Sequence, residues 1–133
     1  MAVCITNSAE ETEKIGEKLA QRLPKRVFAL IGELGSGKTT FVKGFARRLG
    51  IKKRIISPSF VLIRQYGNLY HVDLYRLEKP SGVEGLGLEE IWNNPDNIVI
   101  IEWAERIKKI LPKDRVEICF KYVGENKREI EIR

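Results

Sequence analysis

The segment that most constrains this chain is an eight-residue run with the spacing of a phosphate-binding loop, G-x-x-x-x-G-K-[ST]. The run occupies residues 32–39, reads Gly-Glu-Leu-Gly-Ser-Gly-Lys-Thr, and matches every fixed position of the pattern. An apolar run from Arg26 to Ile31 precedes it and is typical of a strand buried on both faces. An amphipathic segment from Thr39 to Leu49 follows and predicts a helix that Gly50 terminates. A buried strand that leads through a glycine loop into a helix predicts a parallel α/β core.

The loop has the chemistry of an anion site. Its glycines let consecutive backbone N–H groups point inward, and the following helix directs its positive N-terminal end to the same place. Lys38 is expected to reach the β- and γ-phosphates of a nucleotide, and the Thr39 hydroxyl is a hard oxygen ligand for Mg²⁺. The predicted nucleotide-binding residues of this segment are Glu33, Leu34, Gly35, Ser36, Gly37, Lys38, Thr39 and Thr40.

The rest of the chain predicts one domain, residues 1–133, with the α/β fold of P-loop NTPases. We expect a mixed, mostly parallel central sheet flanked by helices, with antiparallel hairpins. Ser8 is the predicted N-cap of a first helix that stops before Pro24. The other predicted elements are strands at Val3–Thr6, Phe60–Tyr66, Leu69–Tyr75, Asn97–Glu102, Arg115–Val123 and Lys127–Ile132, and short helices at Leu88–Trp92 and Ala104–Leu111.

Two carboxylates are candidate partners of the loop. Glu102 ends the buried run 97–102, and ligand sites in such sheets lie at the carboxyl ends of the strands, so Glu102 is predicted to hold Mg²⁺. Asp73 follows another strand and could bind Mg²⁺ through water or orient an attacking water. Lys38, Asp73 and Glu102 are therefore the candidate catalytic residues. His71 is the only histidine and is assigned no catalytic role, since a lone histidine is more often structural.

Three further features leave alternatives open. Ser57 and Ser59 lie in a loop that fits a γ-phosphate sensor or a plain turn equally well. Trp103, directly after Glu102, is expected near the proposed site. A basic run that follows the loop helix fits a solvated surface better than a nucleic-acid site; it comprises Lys43, Arg47, Arg48, Lys52, Lys53 and Arg54.

Composition narrows the class of protein. With 43% hydrophobic and 32% charged residues, the chain is ordinary for a globular protein and unlike a disordered one. No apolar run approaches the ~20 residues of a membrane helix, and no secretory signal is recognisable, so we expect a cytoplasmic protein that does not associate with membranes. The net charge of +6 is concentrated in the first half and favours attraction to phosphates or to an acidic partner.

Four segments together resemble the TsaE (YjeE) family of bacterial tRNA threonylcarbamoyladenosine biosynthesis proteins. They read GELGSGKTTFVKGFARRLG, SPSFVLIRQY, YHVDLYRL and VIIEWAERI. The resemblance implies a small ATPase with ATP and Mg²⁺ as cofactors, slow alone and coupled to the partner proteins TsaD and TsaB. It also implies that tRNA is reached indirectly, through that complex, which modifies the adenosine next to the anticodon.

The resemblance also implies roles for individual residues. Lys38 and the loop amides would bind phosphates, Thr39 and Glu102 would hold Mg²⁺, and Asp73 would serve hydrolysis. Trp103 would support nucleotide-linked activity, the loop with Ser57 and Ser59 would act as a switch, and Thr12 and Arg128 would lie on the adenine side. The chain departs from the family pattern in having Ser59 for Thr, Ser36 for Ala and Glu33 for Asp, and none of these changes removes a proposed ligand.

Two other functions are compatible with a phosphate loop. A small-molecule kinase needs an acceptor pocket and usually an arginine-bearing lid, whereas the only segment long enough, residues 81–94, holds no arginine. A non-catalytic nucleotide sensor or nucleic-acid-binding module would bind ATP without turnover, or bind RNA alone with a steep dependence on salt.

Overall fold

The computed structural model describes residues 2–56 and 62–133, and these form a seven-stranded sheet with helices on both faces. In chain order the strands are β1 (Ala2–Thr6), β2 (Val27–Gly32), β3 (Ile63–Tyr66), β4 (Leu69–Asp73), β5 (Ile98–Glu102), β6 (Val116–Gly124) and β7 (Lys127–Ile132). The helices are α1 (Ala9–Arg22), α2 (Lys38–Arg48) and α3 (Leu88–Asn93). In the described part of the chain no helix has the length and apolar character needed to cross a bilayer.

The sheet has a parallel centre and antiparallel margins, in the order β1-β7-β6-β2-β5-β4-β3. Strand β2 lies between β5 and β6 and is parallel to both, and β4 is parallel to β5. Strands β3, β7 and β1 join by antiparallel pairing. This arrangement confirms the expected α/β class with a mixed sheet, and it brings the carboxyl ends of β2, β4 and β5 to one edge.

Each face of the sheet has its own apolar core. On one face, Phe28, Leu30 and Ile100 are buried beneath α1 and α2. On the other face, Ala29, Val99 and Ile101 pack with residues of α3 and of two short 3₁₀ turns. The central strands are buried on both faces, as expected for parallel strands, and this explains their unbroken apolar sequences.

Helices α1 and α2 pack unusually closely because glycine lies at the contact. A Cβ added to Gly44 would collide with the backbone carbonyl of Glu13, and one added to Gly16 would collide with that of Phe41. At the exposed side of the same contact, Arg47 donates hydrogen bonds to the carboxylates of Glu13 and Glu17. The phosphate-loop helix is therefore held directly against α1.

Capping residues and glycines in the sequence mark the ends of several helices and strands. Ser8 caps α1 by accepting a hydrogen bond from the Glu11 N–H at 3.2 Å, and Gly50 follows α2 with a φ of 83°. Gly67, with a φ of 63°, begins the predicted turn between β3 and β4. Strand β4 ends at Asp73, two residues earlier than predicted, because the chain then turns with Leu77 N–H bonded to the Leu74 carbonyl.

The predicted helix at Ala104–Leu111 is wrong. The segment forms a 3₁₀ turn at Ala104–Ile107, in which the Arg106 N–H bonds to the Trp103 carbonyl, and irregular turns follow. Ala104, Ile107 and Leu111 are buried, and their spacing of three and four residues suits tight turns as well as an α-helix. The segment is also short, since Pro112 follows it at once.

Candidate functional site

The phosphate loop connects β2 to α2 and ends in the N-cap of α2. Gly37 is this N-cap, with a φ of 106° that a side chain would make unfavourable, and no side chain caps the helix. The first N–H groups of α2 therefore lack a side-chain partner at the place where the loop opens, and they can bind an anion.

Lys38 lies within the loop and is 5% exposed. Its ammonium donates to the carbonyl oxygens of Gly32 and Glu33 and lies 3.8 Å from the centre of the Trp103 ring. Burial lowers the pKa of Lys38, an effect that the nearby carboxylates oppose, the first of them Glu102. The cation is thus held at the loop by carbonyls and by an aromatic face.

Glu102 faces the loop from the carboxyl end of β5, beside Leu30 of β2. The Thr39 hydroxyl lies 2.9 Å from its Oε1 and 3.0 Å from its Oε2, and donates to the carboxylate. His71 Nε2 lies 2.6 Å from Oε2. The structure thus brings Thr39 and Glu102 into direct contact, and their role in holding Mg²⁺ stays a prediction.

Asp73 ends β4 opposite Glu102 in the strand register. It is buried, and its Oδ1 accepts a hydrogen bond from the Tyr75 N–H at 2.9 Å. Asp73 and Glu102 therefore end neighbouring parallel strands, both beside the phosphate loop.

The other side of the loop is formed by α1 and β7, which lie near the two ends of the sequence. Thr12 of α1 is buried and its hydroxyl lies 2.7 Å from that of Thr6. Arg128 of β7 donates to the Gly35 carbonyl at 3.1 Å, and its guanidinium lies 4.5 Å from the centre of the Tyr122 ring. Arg128 thus fastens the β6–β7 hairpin to the phosphate loop.

These residues surround a cleft of about 390 Å³. Every predicted site residue in the described part of the chain lines it: Thr12, Glu33, Leu34, Gly35, Ser36, Gly37, Lys38, Thr39, Thr40, Asp73, Glu102, Trp103 and Arg128. Ser57 and Ser59 lie outside the described residues.

Sequence reasoning missed four residues that line the cleft and one that supports it. The cleft also contains Ser8, Ala9, Tyr75 and Asn126, and His71 contacts Glu102 from behind. The alternation of side chains along a strand places His71 on the same face as Asp73, and this signal was available in the sequence. Asn126 belongs to a turn distant in sequence, so no local pattern assigns it to the cleft.

The oxygen donors of the cleft suit a hard cation. Within residues 2–56 and 62–133 no group of three or more His, Cys, Asp or Glu side chains could hold a metal by itself. Mg²⁺ at a phosphate site is usually held by one or two carboxylates together with the phosphates, so a hydroxyl and two carboxylates match that chemistry.

The basic run after the loop is only partly available to a partner. Arg47 is engaged by Glu13 and Glu17 of α1. The other members are exposed and include Arg48, Lys52 and Lys53. The interpretation of this run as a solvated surface stays a prediction.

Comparison with known proteins gives the family. Residues 6–130 match the family model described as "Threonylcarbamoyl adenosine biosynthesis protein TsaE". The chain belongs to the TsaE family. A Bacillus subtilis relative, named tRNA threonylcarbamoyladenosine biosynthesis protein TsaE, is 42% identical over 130 residues, which is 94% of this chain and 80% of the relative. A Treponema pallidum relative of the same name is 36% identical over 133 residues, covering 97% of this chain and 98% of the relative.

A solved structure supports the same assignment. The crystal structure of Bacillus subtilis YdiB superposes with a TM-score of 0.81 at 36% identity, covering 97% of this chain and 82% of YdiB. Both the sequence matches and the structural superposition therefore extend along nearly the whole chain, including the segments that surround the cleft. Membership in the TsaE family confirms the resemblance drawn from the four sequence segments.

Proposed function

We propose that this chain binds ATP with Mg²⁺ and hydrolyses it as an accessory protein in threonylcarbamoyladenosine modification of tRNA. The observation that carries the proposal is the convergence of Lys38, Thr39 and Glu102 at one end of a phosphate loop. The relatives named for tRNA threonylcarbamoyladenosine biosynthesis supply the process.

In this proposal the phosphates occupy the loop between β2 and α2. N–H groups within residues 33–40 bind phosphate oxygens, and the Lys38 ammonium exchanges its carbonyl partners for the β- and γ-phosphates. The exchange is favourable because a phosphate is a stronger acceptor than a neutral carbonyl. Thr12 and Arg128 contact the adenine side of the nucleotide.

Thr39 and Glu102 would hold Mg²⁺, and the bound ion would supply positive charge that offsets the negative charge of the phosphates. The Thr39 hydroxyl donates to Glu102, and its lone pairs would remain available to the ion. Asp73, beside Glu102, accepts a hydrogen bond from the attacking water and orients it. Trp103 keeps the Lys38 ammonium at the loop until phosphate arrives.

Turnover by the isolated protein is slow, and the TsaD–TsaB pair accelerates it; tRNA is contacted through that complex. The decisive experiment measures ATP hydrolysis by the chain alone and with purified TsaD and TsaB, with Lys38→Ala as the blank. A low rate that rises with the pair and vanishes in the blank is expected.

Other outcomes separate the competing functions. A rate that the pair leaves unchanged would remove the partner assignment and keep the ATPase. Phosphate transfer to a member of a nucleoside set would identify a kinase. Tight ATP binding without turnover under every condition would identify a nucleotide sensor.

A further inference from the structure

His71 is completely buried and directed at the carboxylate of Glu102. Its ring has no exposed surface, and Nε2 lies 2.6 Å from Glu102 Oε2. In the register of β4 and β5, His71 lies opposite Ile100. Ile100 precedes Glu102 by two residues, so both lie on the same face of the sheet, and strand pairing therefore explains the contact.

The direction of this hydrogen bond follows from the chemistry of the two groups. An ionised carboxylate can only accept, so Nε2 carries the hydrogen and donates it. The opposite ring nitrogen, Nδ1, is buried with no hydrogen-bond partner among the described residues. With the hydrogen on Nε2, Nδ1 is left as an unpaired acceptor, and no buried N–H is left without a partner.

Glu102 needs this second donor. The carboxylate is 3% exposed, and Thr39 supplies a single hydroxyl hydrogen that the two oxygens share at 2.9 and 3.0 Å. One shared hydrogen leaves rotation of the carboxylate about its last C–C bond poorly restrained. The His71 N–H holds Oε2 with a short, charge-assisted hydrogen bond and so restrains this rotation.

We propose that His71 is a positioning residue that sets the orientation of the Glu102 carboxylate for Mg²⁺ at the nucleotide site. The inference rests on the proposed role of Glu102 and Thr39 in holding that ion. Groups that orient a metal ligand from behind typically change metal affinity by about 10- to 100-fold when removed. Binding of ATP to the loop in the absence of metal does not use Glu102 and stays largely independent of His71.

The test compares three replacements of one side chain. His71→Phe keeps the ring and removes both nitrogens. His71→Gln places an amide N–H near the position of Nε2, whereas His71→Asn carries the same amide on a side chain one carbon shorter. Calorimetric titration gives the ATP affinity of each variant in EDTA and in excess Mg²⁺, and circular dichroism checks that each variant is folded.

For the wild type, Mg²⁺ is expected to tighten ATP binding. His71→Phe and His71→Asn should lose about tenfold or more of that gain while their affinities in EDTA stay within about twofold of the wild type. His71→Gln should recover most of the gain. If His71→Phe does not fold, the contrast between His71→Gln and His71→Asn carries the test.

Three results would overturn the inference. A full Mg²⁺ gain in His71→Phe, or in His71→Asn where His71→Phe does not fold, would reduce His71 to a core-filling residue and leave the proposed metal site intact. So would equal losses with and without metal, because they indicate a general effect on the fold. A wild type whose ATP affinity ignores Mg²⁺ would instead remove the metal site itself, and with it the role of His71.

Discussion

At the scale of single residues, the described part of the cleft contains polar side chains that have hydrogen-bond partners and one buried hydroxyl that has none. Lys38, Thr39 and Glu102 each have hydrogen-bond partners, whereas the Ser36 hydroxyl is buried with no partner among the described residues. A buried unpaired hydroxyl lowers stability.

Replacing Ser36 with Ala is expected to raise the free energy of unfolding by about 1 kcal/mol, because the change removes an unpaired buried hydroxyl. Urea denaturation measures the change. ATP affinity should stay the same, since the loop contributes its backbone N–H groups there. A loss of affinity would show that the Ser36 hydroxyl takes part in binding.

Glu102→Gln keeps the shape of the side chain and removes the charge. We expect ATP turnover to fall by about tenfold or more, because the neutral amide is a weaker ligand for Mg²⁺ than the carboxylate and a loss of about 1.4 kcal/mol in transition-state stabilisation already costs tenfold in rate. Gln is preferable to Ala, since Glu102→Ala would leave the partly buried Thr39 hydroxyl and the buried His71 ring without their acceptor. A steady-state phosphate-release assay measures the rate.

Glu105→Gln is the matched control for Glu102→Gln. Glu105 is exposed, also influences Lys38 electrostatically, and loses the same charge. Equal losses in both variants would indicate that only the total charge near Lys38 matters.

At the scale of elements, the site depends on how closely α1 packs against α2. Helix α1 contributes Thr12 to the cleft and α2 contributes Lys38 and Thr39. Gly16 and Gly44 allow the two helix backbones to approach so closely that a Cβ at either position would collide with the backbone of the other helix. The position of Thr12 relative to the phosphate loop therefore depends on two glycines that lie outside the cleft.

Gly44→Ala should lower the free energy of unfolding by about 2 kcal/mol or more, because the new methyl group would overlap the Glu13 carbonyl and push the helices apart. The gain of about 1 kcal/mol in helix propensity only partly offsets this cost. Gly124→Ala is the control, since its Cβ would meet Lys127 Cβ at an ordinary 3.5 Å. Equal unfolding midpoints in urea for Gly44→Ala and the wild type would contradict the assigned contact.

The elements also mark the limit of prediction from the sequence. The loop, the strand before it, the helix after it and the ends at Glu102 and Gly50 could be predicted, because glycine, apolar runs and helical periodicity are local signals. The 3₁₀ turn at Ala104–Ile107 could not, because its apolar spacing fits two kinds of turn. The pairing of β1 with β7 joins segments far apart in the chain, and neither strand encodes its neighbour.

The same limit applies to the cleft. The phosphate-loop residues came from a motif, and Asp73 and Glu102 from their places at strand ends. The contact of His71 with Glu102 depends on the register of two strands, and that of Arg128 with Gly35 spans 93 positions. Such contacts exist only once the sheet has formed.

At the scale of the whole molecule, the cleft joins five separate segments of the chain. They are the start of α1, the phosphate loop, the ends of β4 and β5, and the β6–β7 turn. A ligand that touches all of them stabilises the fold as a unit, because each segment must be in place for binding.

ATP with Mg²⁺ should therefore raise the midpoint of thermal unfolding of the entire protein. At a free ligand concentration of about 100 times the dissociation constant, the expected stabilisation is about 2.7 kcal/mol. Differential scanning calorimetry measures the shift, and Lys38→Ala should show none. An unchanged midpoint at saturating ATP would mean that the ligand does not hold these segments together.

Because Lys38 contacts Trp103, the fluorescence of Trp103 should report the binding of phosphate at the loop. The ammonium lies 3.8 Å from the centre of the indole ring, and a cation at that distance perturbs the excited state of the ring. When phosphate draws the ammonium away, the fluorescence of Trp103 should change in step with occupancy. Trp92 lies on α3, outside the cleft lining, so Trp92→Phe would leave Trp103 of the cleft as the single tryptophan.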